Sequence, residues 1–431
     1  MRFLASDVAA ATRGRLVGPD LPLDSASFDS RSLAIGQLFV PIVADRDGHD
    51  FIAAALAAGA GAYLTAHEPT FPGGTAIVVE DTATALLDLA RWGRSRLPDR
   101  VVGVTGSVGK TSVKDLTAAV LRTTWRTAAN ERSYNNDQGL PVTILGAPDD
   151  VEVLVLEMGM RGFGEIARLC DVARPTIGVV TNVAEAHSQR VGGIEGVARA
   201  KGELVEALPA TGTAILNAAQ PLVLALRSRT PATVLTFGEA GADVRAEDIR
   251  LDRLARAAFT LVTPDGSVDV ALAVSGAHMV PNACAAAAVG FVLDVPLEGI
   301  AAGLATAALS AWRMEISLAK SGAVVINDAY NANPTSMRAA LDALLAVPAA
   351  RHVAVLGVMA EITEPEVEHR AIAAFAAERG IELVAVGTDL YGVPSAGSAG
   401  EVELSVTGDD AVLVKGSRVA GLERLAARLL A

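Results

Sequence analysis

Cysteine is nearly absent from this chain. Cys170 and Cys284 are the two in 431 residues, far apart and each in an apolar, helix-like stretch. That excludes a disulfide framework or a thiolate metal site and predicts two buried, reduced thiols in a reducing compartment. Positive charge is the minority sign, with 36 Lys and Arg against 49 Asp and Glu and a net charge of −13. A general nucleic-acid or anionic-membrane surface is thereby excluded, and a phosphorylated substrate would have to meet positive charge gathered locally in loops. No run approaches the ~18 apolar residues of a membrane span. The opening MRFLASDVAAATRGRL is too polar for a secretion signal. The expectation is a soluble cytoplasmic protein with no membrane insertion and no nucleic-acid partner. No Ser-His-Asp or Cys-His set calls for a covalent protein nucleophile, and no G-x-G-x-x-G follows a strand in the last third of the chain, so no dinucleotide cofactor is assigned.

What the chain does have is apolar material, 51% of its residues, enough for several cores. It also has one stretch of unmistakable chemistry. Val101–Val104 form a short strand-like run, followed by Thr105-Gly106-Ser107-Val108-Gly109-Lys110-Thr111-Ser112 and then a helical pattern with Val113, Leu116, Val120 and Leu121 on one face. Strand, glycine loop, Lys-Thr and helix make a phosphate cradle: backbone N–H groups and the positive helix end converge on an anion. Lys110 would reach the β- and γ-phosphates, and the Thr111 hydroxyl would hold Mg²⁺. Val104 stands where the strict G-x-x-x-x-G-K-[ST] pattern has glycine, so the loop is of the shorter T-G-x-x-G-K-T-S form. The reading is a protein that binds ATP or GTP.

At ~150 residues per domain the length predicts three domains, and the chain divides at about 1–98, 99–312 and 313–431. The first is a small α/β unit with a helix over 51–61, a strand over 76–80 and a helix over 82–96. In the second, strands at 151–159, 176–183 and 212–217 alternate with helices near 164–172, 195–207 and 219–228, which predicts a doubly wound, mostly parallel sheet. Two short alternating segments within 230–275 predict a small antiparallel edge, and an Ala-rich helix covers 282–293. The third unit alternates strands at 323–328, 352–357, 381–387 and 411–416 with helices near 334–346, 364–379 and 419–430, a Rossmann-like α/β domain. Ligands of such sheets sit at the carboxyl ends of the strands, where Glu157, Asn182 and His187 fall. Glu157 is the best placed to hold the divalent ion that a phosphate loop requires. Read alone, His187 is a loop residue, Lys201 a surface lysine paired with Glu195 or Glu203, and the clusters around Asp29-Ser30-Arg31 and Asp47-Gly48-His49 solvated turns. The segment Asn327–Pro334 carries more amides and acids than one helix cap needs, and the surplus points to ligand contact.

TGSVGKTS, with NNDQGLP (135–141), EMGMRGFGEIARL (157–169), TNVAEAH (181–187), ARAKGEL (198–204), INDAYNANPTSMRAAL (326–341) and LVKGSR (413–418), resembles the Mur ligases, ATP-dependent amide ligases of the peptidoglycan stem peptide. The resemblance spans nearly the whole chain. NDAYNANP together with the early DSR…GQLFVP…DGHDFI pattern looks most like the MurF branch, and the DNPR segment of the branch that adds the third residue is absent. The resemblance implies that Gly106, Ser107, Gly109, Lys110, Thr111 and Ser112 cradle ATP. It implies that Thr111, Glu157 and His187 ligate two Mg²⁺ ions together with a carbamylated Lys201. It places Asn282 at the adenine, Arg313 at the phosphates, and Asp328 with Asn331 at the ribose and adenine. Ser30, Arg31, Asp47, Gly48 and His49 match the uridine-nucleotide region of the first domain, and Asn135, Asn136 and Arg161, with Asn333, are implied for substrate. Lys110, Lys201, His187 and Arg313 would form the catalytic set. The implied substrates are UDP-N-acetylmuramoyl-tripeptide and D-Ala-D-Ala, handled by a monomer. Three departures stand out: Val358 for the acid of L-G-D-M-x-E-L, Met279 for the first asparagine of G-x-H-N-x-x-N, and a shortened segment at Val43–Arg46.

Two rivals remain at this point: a sister ligase such as folylpolyglutamate synthetase, whose first domain lacks the DSR…DGHDF pattern, and a P-loop regulatory ATPase that hydrolyses ATP as a switch.

Overall fold

The computed structural model describes residues 1–69, 74–131, 134–184, 191–238 and 240–431, and all counts and absences below refer to these. Three α/β bodies follow one another along the chain. The central one is a nine-stranded sheet. Strand Val101–Thr105 lies third from one edge, paired in parallel with Val153–Glu157 on one side and Ile177–Val180 on the other. Thr127–Ala129 closes one edge, while Thr213–Asn217, Thr233–Gly238 and Val244–Leu251 extend the other, all parallel. The inner strands VVGVT and VLVLE are buried at every position, the continuous apolar run that a sheet covered on both faces requires.

The far edge is larger than the sequence predicts. Val244–Leu251, Arg256–Thr263 and Gly266–Ser275 are three long strands, the last two pairs antiparallel, and they continue the central sheet instead of forming a separate small edge. Helix Leu297–Thr306, which the sequence reading missed, packs on them. Its Gly303 lies where a Cβ would come within 2.5 Å of the Val120 Cα, so glycine here permits close contact with the helix Lys110–Leu121. The Ala-rich helix Met279–Val292 is buried nearly all round, as a helix apolar on every face must be.

The third body is a six-stranded sheet in the order Glu315–Leu318, Val324–Asp328, Asp410–Lys415, Arg351–Leu356, Glu382–Val386, Ser395–Ala396. It is parallel except for its first strand, an edge the sequence reading missed. Several predicted helices shorten for local reasons. The one expected over 419–430 begins at Glu423, because Gly421 adopts φ 61° after a 3₁₀ turn. The one over 219–228 is a single turn, Pro221–Leu224, continued as 3₁₀. The one over 51–61 is Ile52–Ala57, preceded by a 3₁₀ turn.

The first body is a five-stranded, mostly parallel sheet with a two-stranded ribbon. It is tied to the second by a shared apolar core, by the buried Arg94, whose Nε donates to the Ala173 carbonyl, and by the terminal ammonium of Met1, which donates to Ala147 O at 2.7 Å. Both cysteines are buried and unpaired, and burial pushes each thiol up to about 12, which makes them inert as nucleophiles. Among the described residues no helix is long and apolar enough to cross a membrane.

Candidate active site

The carboxyl ends of the central strands and those of the third sheet face one cavity of about 1230 Å³. Its phosphate side is built by backbone. Gly109 sits at φ 81° as the residue before helix Lys110–Leu121, a conformation that favours glycine. A Cβ on Gly106 would lie 1.9 Å from Thr181 Oγ1, so the strand-to-helix turn can pass only as glycine. Asn182 shapes this loop: its Oδ1 accepts from Val108 N at 2.8 Å, its Nδ2 donates to Val108 O at 2.8 Å, and its carbonyl accepts from Ser107 N at 3.0 Å. The amide thus braces the cradle while Asn182 also lines the cavity. Lys110 Nζ folds back to donate to Gly106 O at 2.7 Å. Its pKa is lowered first by burial and then by the charge of Arg313, against Glu157 and Glu361, which raise it.

Glu157 ends its strand fully buried and is met at both oxygens. Thr111 Oγ1 donates to Oε2 and Asn135 Nδ2 to Oε1, each at 2.7 Å, while its N–H donates to Asn130 Oδ1 at 2.6 Å. One strand over, helix Ile194–Glu206 brings in Lys201. It is 4% exposed, so it is not the surface lysine its local sequence indicates. Among the described residues its ammonium has no partner, and burial, followed by the charge of Lys110, holds it well below the usual lysine range. His187 lies outside the described residues.

The opposite wall comes from the third body. Arg313 stacks on Tyr330, its guanidinium carbon 4.1 Å from the ring centroid. The residues on either side of it, Trp312 and Met314, both adopt left-handed backbone, φ 61° and 49°, a costly conformation for large side chains that concentrates at functional turns. Asp328 accepts from Met314 N at 3.1 Å and pairs with Lys415, whose Nζ also donates to Asn331 O at 2.9 Å. Asn333 turns out to be the one cap this loop needs: its Oδ1 accepts from Ser336 N at 2.9 Å, so the surplus polarity resides in Asp328 and Asn331. Asn282 reaches the loop from the start of its helix; a Cβ on Gly109 would lie 2.9 Å from its Oδ1. Met279 packs one turn away, with Asn282 Nδ2 3.6 Å from its Sδ. Val358 does not line the cavity, whereas its neighbours Ala360 and Glu361 do; the Val358 carbonyl instead accepts from Ser417 N at 2.9 Å.

Sequence reasoning missed Lys415 as a site residue. The motif LVKGSR was in view, but Lys415's partner is 87 positions away, and no local pattern gives that distance. Six basic side chains (Lys110, Arg161, Lys201, Arg313, Lys415, Arg418) face the cavity against five acids (Asp137, Glu157, Glu165, Asp328, Glu361). In a chain of net charge −13 this is a local gathering of positive charge suited to phosphates. Asn135, Asn136 and Arg161 also line the cavity, Asn135 through its bond to Glu157.

Ser30, Arg31, Asp47, Gly48 and His49 do not line this cavity. Arg31 forms a bidentate pair with Asp29, 2.8 Å at each contact. The same loop approaches the cavity wall at Asn135, with the Phe28 ring 5.5 Å from that of Tyr134, the residue before it. Asp47 caps its 3₁₀ turn through His49 N, and its carboxyl is held low by that backbone bond and by the His49 ring. A Cβ on Gly48 would lie 2.4 Å from Ile42 N. Asp47, His49 and His67 cluster with ligand atoms within 4.8 Å. However, His49 Nε2 accepts from Ala66 N at 3.1 Å, which leaves the proton on Nδ1 facing Asp47. A metal at Nδ1 would force a proton onto Nε2 against that N–H, so the cluster reads as a hydrogen-bonded brace.

Comparison with known proteins agrees with this architecture. Residues 104–290 match the Mur ligase middle domain and residues 312–420 the Mur ligase glutamate ligase domain. The UDP-N-acetylmuramoyl-tripeptide–D-alanyl-D-alanine ligase of Escherichia coli K12 is 38% identical over 440 residues, covering 97% of this chain and 96% of the relative. A crystal structure of MurF from Acinetobacter baumannii superposes with a TM-score of 0.90 at 29% identity, covering 100% of this chain and 99% of that one. MurF ligase from Thermotoga maritima in complex with ADP gives a TM-score of 0.80 at 26% identity, covering 94% and 96%. A phosphate loop facing a Rossmann-like lobe, in a chain matched along almost its whole length, belongs to the Mur ligase family, in its MurF branch.

Proposed function

We propose that this chain joins D-Ala-D-Ala to UDP-N-acetylmuramoyl-tripeptide at the expense of ATP, in the cytoplasm. The observation that carries the reading is the single cavity in which the Lys110 loop and the Thr111–Glu157 pair face Arg313 and Asp328 from a separate sheet. Nucleotide phosphates would rest on the central body (99–312), the base and ribose against Asn282, Asp328 and Asn331 of the second and third bodies (313–431), and the uridine nucleotide on the first (1–98). Binding across the bodies would couple ATP to their closure.

The donor set fits Mg²⁺. A buried carboxylate, a hydroxyl bonded to it and an amide offer the hard oxygens that ion selects, and a bound Mg²⁺ would neutralise charge on the transferring phosphoryl group. Thr111 and Glu157 would hold it, with His187 as a further ligand. Lys201, buried and with its pKa lowered, is the kind of lysine whose neutral amine can add CO₂ with loss of a proton; the resulting carbamate would present two further oxygens to a second ion. The tripeptide carboxylate would attack the γ-phosphorus, giving an acyl phosphate and ADP. The dipeptide amine would then attack the acyl carbon and expel phosphate. Lys110 and Arg313 stabilise the charge that develops, and positioning supplies the remainder. Met279 leaves Asn282 as the only amide of its pair to meet the adenine.

The test is phosphate release from ATP with Mg²⁺ and UDP-N-acetylmuramoyl-tripeptide, with and without D-Ala-D-Ala. Release that requires the dipeptide is expected. Release indifferent to both acceptors would make the protein a switch-like ATPase and overturn the reading.

A further inference from the structure

We propose that Arg418 anchors the carboxylate of the incoming dipeptide and that Val419 contacts its methyl groups; this rests on the ligase reading above. The acceptor brings a nucleophilic amine at one end and a carboxylate at the other. A site that selects a dipeptide must hold that carboxylate with a cation removed from the phosphates.

The geometry favours one cation of the third-body wall for this role. Lys110 is folded onto its own loop, Lys415 is paired with Asp328, Lys201 is buried, and Arg313 stacks on Tyr330 with its charge acting on Lys110. Arg161 lies on the central body, four residues after Glu157, whose carboxylate meets Thr111 of the phosphate loop. Arg418 stands on the third-body wall, its side chain 53% exposed. Its guanidinium carbon lies 3.9 Å from the Trp312 ring centroid. Its nearest acid, Glu423, is 3.8 Å away, too far for a hydrogen bond, and among the described residues its guanidinium donates none. A stacked guanidinium has its face fixed and its edge free, the arrangement that receives a carboxylate through two parallel N–H bonds.

The surroundings support an acceptor role. The turn is braced from beneath: Ser417 N donates to Val358 O at 2.9 Å, and Ser417 Oγ accepts from Ala360 N at 3.0 Å. Val419 lines the cavity and is 77% exposed, an apolar side chain with no core to serve. Trp312, on which Arg418 rests, immediately precedes Arg313. A carboxylate held at Arg418 is thereby indexed to the residue that faces the phosphates.

The experiment is steady-state kinetics of the full-length enzyme with ATP, Mg²⁺ and UDP-N-acetylmuramoyl-tripeptide, using either D-Ala-D-Ala or D-Ala-D-alaninamide, which lacks the carboxylate. The wild type should prefer the acid by about ten- to a hundredfold in kcat/KM, the size of losing a charge-assisted bond pair. Arg418→Ala should raise KM for D-Ala-D-Ala by a similar factor and erase that preference, and Arg418→Lys should keep part of it. KM for ATP and for the uridine substrate should stay within about twofold, which also certifies that the variant folds. An Arg418→Ala enzyme that still prefers the acid overturns the assignment while leaving the ligase reading intact. A wild type with no dipeptide-dependent turnover overturns both.

Discussion

Two lysines of the cavity are almost equally buried, Lys201 at 4% and Lys415 at 2% exposure, and the protein treats them in opposite ways. Lys415, at the end of a strand in the third sheet, meets the Asp328 carboxylate and the Asn331 carbonyl. Lys201, on a helix of the central body, meets no acid among the described residues, and burial lowers its pKa well below the usual lysine range. An ion pair inside a protein is a brace, because breaking it strands the surviving charge. A buried amine without a partner gives up its proton instead and becomes a nucleophile. The difference teaches that burial alone does not make a lysine structural or chemical; the presence of a countercharge decides.

The comparison is broken most severely at Lys201. Lys201→Ala should cut dipeptide-dependent phosphate release by about a hundred- to a thousandfold, the scale of removing one preorganised electrostatic contributor. Acetate should restore part of the rate by placing a carboxylate in the vacated space. Full activity without acetate, or no rescue at any concentration, would remove the carbamate from the account. Because the lysine has no described partner, Lys201→Met should leave the urea midpoint unchanged or higher.

Lys415→Met should do the reverse. It strands Asp328, and urea denaturation should report a loss of about 3–5 kcal/mol, the usual cost of breaking one side of a buried pair. A loss near zero would mean that Asp328 finds water or another donor, and the contrast with Lys201 would collapse.

The same contrast marks how far the sequence could be read. The phosphate loop was legible because its parts are contiguous: glycines, Lys110 and Thr111 fall within eight residues between a strand and a helix. Glu157 was legible as the acid closing an apolar strand. Lys201 was misread from its neighbours Glu195 and Glu203 because its burial comes from helix placement, which no heptad of local sequence states. Its importance entered only through the family resemblance. Lys415 and Arg418 were invisible as individuals because what they touch, Asp328 and Trp312, arrives from distant chain. The helix Leu297–Thr306 was lost for a related reason. Its place is set by Gly303, the contact that lets the helix approach Val120, a residue far away in the chain.

The smallest effect sharpens the comparison on the third-body wall, at a buried base of another kind. His369, on helix Pro365–Glu378, is fully buried. Its Nδ1–H donates to Pro365 O, and its Nε2 accepts from Met359 N at 2.9 Å, while Tyr391 packs edge-on with ring centroids 4.8 Å apart. These two bonds require the neutral ring, and burial lowers its pKa, opposed by the Pro365 carbonyl. The unfolded chain, with histidine near 6.5, therefore binds more protons than the folded one below that pH. Stability is fully present above about pH 6.5 and declines as the pH falls toward the lowered folded value, with a slope of at most about 1.4 kcal/mol per pH unit from this group. Protonation would also press a second N–H against Met359, in the loop that carries Ala360 and Glu361 to the cavity. Urea midpoints at pH 7.5 and 5.5, for wild type and His369→Gln, check this. The variant should show the shallower fall, and equal falls would assign the acid sensitivity elsewhere. Like Lys201, His369 is a buried base whose pKa burial lowers. Unlike it, both nitrogens are hydrogen-bonded, so neutrality here fixes a loop and leaves nothing free to react.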